Sequence, residues 1–175
     1  MSQELSCIRE PVTTFRAVLL FHIAAGTVGL VLGPIAMTAL KGSRLHAWAG
    51  ELYHWVMLTV CVSAAGLAWL DWARNWWFLP IAVGSYTFAF VAYVAAKRRW
   101  PGWLAAHVSG QGGSYISMLS AVLVVNWQLL TGTSGRSSLW PWIIPTVIGS
   151  PLIAWVNVQV GRGQRPKRSR QATPR

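Results

Sequence analysis

Five uninterrupted apolar runs, near residues 17–40, 48–70, 76–96, 103–130 and 140–160, constrain this chain more than any other feature. Each approaches or exceeds the roughly 18 to 25 residues that cross a bilayer as a helix. A backbone surrounded by hydrocarbon must satisfy its own hydrogen bonds, and a helix does so within one segment. The sequence therefore predicts an all-α, polytopic membrane helical bundle of about five transmembrane helices.

Composition agrees. The chain is 54% hydrophobic and 11% charged, where a soluble domain carries about 25% charged residues. Four acids, Glu4, Glu10, Glu51 and Asp71, are too few to wet a soluble surface of this apolarity. The first run is longer than the roughly 7 to 15 apolar residues of a signal peptide. It follows a polar segment with Arg9, Glu10 and Arg16, and reads as a permanent span.

The net charge of +11 is arranged by side. Five spans put the two chain ends on opposite faces. One face then carries Lys41, Arg44, Lys97, Arg98, Arg99 and the tail residues Arg162, Arg165, Lys167, Arg168, Arg170 and Arg175, while the other carries Arg9, Arg16, Arg74 and Arg136. Basic residues stay cytoplasmic, which predicts an outer N-terminal segment (1–16), a transmembrane domain (17–160) and a basic, disordered inner tail (161–175) in a bacterial plasma membrane. The tail reads as a topology signal and a contact for anionic lipids, and no nucleic-acid partner is expected. The 12 Trp fall near span ends in two groups, as interfacial anchors do. Trp48, Trp55, Trp100, Trp103 and Trp155 lie inside; Trp69, Trp72, Trp76, Trp77, Trp127, Trp140 and Trp142 lie outside. Pro34, Pro80, Pro145 and Pro151 should kink or end helical turns, and Pro101 and Pro141 suit helix starts. Cys7 and Cys61 lie too far apart along the bilayer normal to pair, and Cys61 reads as a small core residue.

Four histidines carry the only specific chemistry: His22, His46, His54 and His107. An ionisable group within a span is costly and marks a candidate site. At about 100° per residue, His22 shares a face with Ala25, Gly26, Gly29, Gly33 and Ala36. This stripe of small residues suits close approach of another helix, and its Gly26/Gly29/Gly33 face is a candidate surface for a homo- or hetero-oligomer. His46 and His54 share a face with Gly50, Met57 and Cys61. His107 shares one with Gly110, Gln111, Ser114, Ser117 and Met118. All four histidines should point into the bundle.

Depth separates them. His54 and His107 fall at similar heights near the inner side, His46 at the inner interface, and His22 alone in the outer half. The sharp reading is a cytoplasm-side ligand pair, His54 and His107, with Glu51 or Gln111 nearby, holding a b-type haem or a transition metal. Imidazole is a usual haem ligand, and Gly50 and Gly110 would leave room for the ring. The absence of a second outer histidine argues against a two-haem relay. Two alternatives stay open. One is a non-catalytic accessory or scaffold subunit, its histidines hydrogen-bonded to Ser114, Tyr115 or Gln111. The other is a proton-coupled or small polar-ligand transporter. Gly110-Gln111-Gly112-Gly113 lies within a span and follows no strand, so it is no phosphate loop.

The segment His22…Gly26…Gly29…Gly33-Pro34, followed by Lys41-Gly42-Ser43-Arg44-Leu45-His46-Ala47-Trp48-Ala49-Gly50-Glu51-Leu52-Tyr53, resembles an uncharacterised family of bacterial membrane proteins, domain of unknown function 2306. His107…Gly113-Ser114-Tyr115-Ile116…Asn126 and Ile144-Pro145…Gly149-Ser150-Pro151 extend the resemblance across about 17–155. Where that family often has Arg after the Gly, this chain has Glu51. The resemblance implies a multipass helical fold and brings no activity with it.

Overall fold

The computed structural model describes residues 2–163, with side chains over 13–161. All regular structure in that range is helical: α1 (Ser2–Thr38), α2 (Arg44–Leu70), α3 (Trp72–Asn75), α4 (Phe78–Arg98), α5 (Trp103–Thr131) and α6 (Trp140–Gly163). Five of these helices contain stretches long and apolar enough to cross a membrane: Thr13–Thr38, Arg44–Leu70, Phe78–Arg98, Trp103–Thr131 and Trp140–Gly161. Most of the basic tail, 164–175, lies outside the described residues.

Two helix starts and one connection differ from the sequence expectation. The first helix continues back through the polar N-terminal segment to Ser2. The second starts at Arg44 rather than near 48, because Ser43 stands in extended conformation (φ −71°, ψ 160°) and its hydroxyl accepts from the His46 N–H, an N-cap that satisfies one of the orphan donors of the first turn. The connection after α2 folds into the single turn α3, where a loop was expected. None of these prolines ends its helix: α6 runs on through Pro145 and Pro151, and α1 continues past Pro34. A proline removes one internal hydrogen bond, and a long helix can continue past that local loss.

Short connections make sequential helices neighbours. α1 packs on α2, α2 on α4, α4 on α5 and α5 on α6, and a slender α1–α5 contact closes a four-helix bundle with α6 outside it. The buried core is Leu32, Tyr53, Met57, Cys61, Ala82, Ala89 and Met118, three of them on α2. Small residues set the spacing. Along α4, Ala89, Ala92 and Ala95 are fully buried. A Cβ added to Gly110 of α5 would meet the Phe88 carbonyl at 2.6 Å and the Ala92 Cβ at 2.8 Å, so these two backbones touch in a way only glycine allows. The outward surface is apolar: Leu20, Phe21, Val62, Val83, Leu129, Val147 and Ile148 are all more than half exposed. Trp48, Trp55, Trp69, Trp72, Trp76, Trp140 and Trp155 also face outward.

Candidate functional site

The Lys41–Ser43 turn and the Arg99–Gly102 turn lie at one end of the bundle, with the start of α2 and the start of α5 beside each other. His46 lies two residues into α2 and His107 four into α5. Their ring centroids are 6.2 Å apart with planes at 78°. Both rings are fixed through the same atom. His46 Nδ1 lies 2.8 Å from the Ala36 carbonyl of α1, and His107 Nδ1 lies 3.0 Å from the Ala92 carbonyl of α4. A carbonyl can only accept, so each Nδ1 carries the proton and donates. In a neutral ring each Nε2 is then a lone pair, and neither Nε2 makes a hydrogen bond among the described residues. Trp103 flanks His107 at 6.4 Å between centroids. Lys41 is near enough to act electrostatically on His107, while its Nζ donates to Met37 O (2.6 Å) at the end of α1. Partial desolvation of Lys41, which lies in the turn between α1 and α2, lowers the pKa of its ammonium group although the residue is exposed overall.

His54 has different neighbours. It is buried, at 3% exposure, and its ring lies flat against Tyr93 of α4, with Tyr86 and Trp55 at 5.8 and 5.4 Å. Its Nδ1 is buried with no partner. Glu51, one turn earlier, ties α2 to α4: Oε1 accepts from Tyr93 Oη (2.8 Å) and Trp55 Nε1 (3.3 Å), and Oε2 accepts from Lys97 Nζ (2.8 Å). The ring contacts of His54 and those of His107 thus belong to two separate groups. No three of His, Cys, Asp and Glu gather at one point among the described residues, so the set His54, His107 and Glu51 does not assemble.

The remaining sequence candidates serve packing. Ser114 is fully buried; its hydroxyl donates to the Gln111 backbone carbonyl (2.9 Å) and accepts from Tyr53 Oη (3.1 Å). Tyr115 Oη donates to Leu30 O (3.0 Å), and its ring fills the notch at Gly33. Gly29 faces Met118. The Gly29 and Gly33 part of the small-residue face is thus occupied by α5 of the same chain, while the Cβ position of Gly26 is open. His22 Nδ1 donates to Ser63 Oγ (2.9 Å), whose own proton goes to Thr59 O (2.8 Å). Ser63 lies nine positions beyond His54, about 13.5 Å along the helix, so His22 is remote from the inner groups. The space at Gly110 that a macrocycle was expected to use holds the α4 backbone; Gly50 has nothing near its Cβ position.

The sequence pattern groups His107 with His54 and leaves His46 at the interface; the Ser43 N-cap changes that register. Reading Ser43 as an N-cap starts α2 four residues earlier and puts His46 level with His107.

No family model matches the chain, and neither a curated protein nor a solved structure matches it. The resemblance to domain of unknown function 2306 rests on the motif residues alone.

Proposed function

We propose that this chain is a multipass protein of a bacterial plasma membrane, N-terminus outside, whose functional centre is an intramembrane histidine pair at the cytoplasmic end holding a transition metal or a b-type haem. The apolar outward surface supports the bilayer, since a soluble monomer rarely exposes contiguous apolar patches of this extent. One observation carries the site: His46 and His107 stand 6.2 Å apart, each with Nδ1 committed to a backbone carbonyl and Nε2 unbonded. Metal-binding histidines use this arrangement, the second-shell acceptor fixing tautomer and ring orientation. The ligand pair proposed is therefore His46 with His107, in place of His54 with His107.

A second reading has its own support. His22–Ser63 and His46–Ala36 each tie α1 to α2, and His107–Ala92 ties α5 to α4. An accessory or scaffold subunit would need no more than these bonds.

The full chain, purified from cells replete with haem and transition metals, separates the two. A centre predicts a bound metal or a Soret band, lost in both His46→Ala and His107→Ala. A colourless, metal-free preparation that also takes up neither on reconstitution leaves the scaffold reading.

A further inference from the structure

We propose that the end of the bundle remote from His46 and His107 holds the headgroup of an anionic phospholipid; this rests on the reading of the chain as spanning a bilayer and not on the histidines. A cavity of about 220 Å³ lies there, among the α3–α4 connection, the last turns of α5 and the loop leading to α6. It is about 31 Å along α5 from His107 to Gln128 in its wall. Asn75, Gln128 and Arg136 line the cavity together with Trp77, Val124 and Val125. The lining is graded. Gln128 stands one turn beyond Val124 toward the end of α5, so polar side chains take the loop side and apolar ones the span side. Val124 is buried at 4% exposure, whereas the adjacent Val125 is 62% exposed on the outward surface. The cavity therefore reaches from the helix packing to the face that meets hydrocarbon. An amphiphile fits that gradient, its head among the polar groups and its chain along Val125. Pockets for soluble ligands hold about 300–1,000 Å³, so this volume suits a headgroup better than a whole soluble substrate.

Arg136 sets the charge of the occupant. Its loop is seated by Gly135, where an added Cβ would strike the Val124 carbonyl. Arg136 Nη1 donates to the Arg74 carbonyl (2.9 Å), and its guanidinium lies over the Trp77 ring, 5.6 Å from the centroid. Trp77 is fixed in turn, donating from Nε1 to the same carbonyl (3.2 Å) and stacking on Phe78 at 3.8 Å. A guanidinium has five N–H donors, and no carboxylate lies within ion-pair distance of Arg136 among the described residues; Asp71 faces Arg74 instead, at 3.7 Å. The Asn75 and Gln128 carboxamides add donors that make no hydrogen bond among the described residues. A phosphate takes a guanidinium in a two-point, charge-assisted pair. No Asp or Glu lines the cavity, so the ammonium of a zwitterionic head finds no counter-charge there. The Trp77 ring that could receive it is already covered by Arg136 and Phe78. The lining thus selects heads of net negative charge.

The test uses the full chain in nanodiscs of phosphatidylcholine mixed with phosphatidylglycerol. The chain is then extracted into detergent, and the lipids it retains are counted by native mass spectrometry, with and without inorganic phosphate. Expected is one phosphatidylglycerol held in preference to phosphatidylcholine and not displaced by phosphate. Arg136→Gln should lower that preference at least about fivefold, the effect of one cation at a membrane surface. Val125→Trp, at an exposed position, fills the mouth of the cavity without touching the guanidinium and should cause a similar loss, which keeps the test decisive if the arginine variant does not fold. Arg74→Gln removes an equal charge from the same end but keeps the carbonyl that Arg136 uses, and should leave the preference unchanged. Equal retention of the two lipids, a preference unaffected by Val125→Trp, or equal losses in Arg74→Gln and Arg136→Gln overturns the site. Displacement by inorganic phosphate overturns the lipid as its occupant. A chain that stays soluble without detergent and does not enter nanodiscs overturns the membrane reading as well.

Discussion

The Tyr93 ring lies flat on His54, 4.0 Å between centroids and 12° between planes. This contact joins α2 to α4. The Tyr93 hydroxyl meanwhile donates to Glu51, so one side chain performs two separable jobs. Tyr93→Phe keeps the stack and removes one interhelical hydrogen bond, worth about 0.6 kcal/mol on average within membranes. Tyr93→Ala also uncovers His54 and should cost several-fold more, up to the roughly 3–5 kcal/mol of a large aromatic truncation. Reversible unfolding in mixed micelles measures both; equal losses would mean that the stack contributes nothing.

Glu51 and Lys97 form the shortest ion pair of the described residues, at 2.8 Å, yet their side chains are 40% and 57% exposed. Exposed pairs contribute about 0–1 kcal/mol because water and salt screen them. A Glu51→Gln, Lys97→Met double-mutant cycle should therefore give a coupling below about 1 kcal/mol, reduced further by added salt. A salt-independent coupling above about 2 kcal/mol would place the pair in a much drier setting than its exposure allows.

The number and rough positions of the long apolar helices were legible in the sequence because hydropathy acts over whole segments, over which local errors average out. Pairing of individual histidines was not, because it depends on register to within one turn. Counting α2 from residue 48 puts His54 about six residues in, level with His107. Counting from the Ser43 cap puts His54 ten residues in, about 15 Å, against about 6 Å for His107. A four-residue difference in one helix start changes which histidine lies level with His107. The small residues on each histidine's face were readable as close-packing positions, but their neighbours were not. Periodicity identifies a face and carries no information about which helix meets it, so the Gly29–Gly33 stripe pointed as well to a second subunit as to Tyr115 and Met118.

The glycines make opposite predictions according to what faces them. Gly33→Ala drives a methyl into the Tyr115 ring, and Gly110→Ala drives one into the α4 backbone at Phe88. Overpacking of this kind costs about 1–3 kcal/mol, and Gly110 should sit at the upper end because a carbonyl cannot swing aside as a side chain can. Gly26→Ala and Gly50→Ala meet nothing and replace a poor helix former with the best, a gain of up to about 1 kcal/mol each. Thermal unfolding of the four variants checks the division. Stabilisation at Gly110, or a loss at Gly26 matching that at Gly33, would contradict the α4–α5 and α1–α5 contacts.

His22 supplies the control for the inner pair. Its Nδ1 donates to Ser63, and Ser63 passes its own proton to Thr59 O, so the chain of donors closes within the helices. Ser63→Ala removes the hydroxyl acceptor and leaves the imidazole with only the Val60 backbone carbonyl, while His22→Ala leaves Ser63 satisfied by α2. Ser63→Ala should therefore destabilise by about 0.6 kcal/mol, the average for interhelical hydrogen bonds in membranes. The double variant should be no worse than Ser63→Ala, apart from the packing lost with the ring. Because the pair lies far from His46 and His107, His22→Ala combined with His107→Ala should be additive within about 0.5 kcal/mol. A larger coupling would show that the outer and inner histidines act as one unit, which their separate hydrogen-bond partners on α2, α1 and α4 do not provide for.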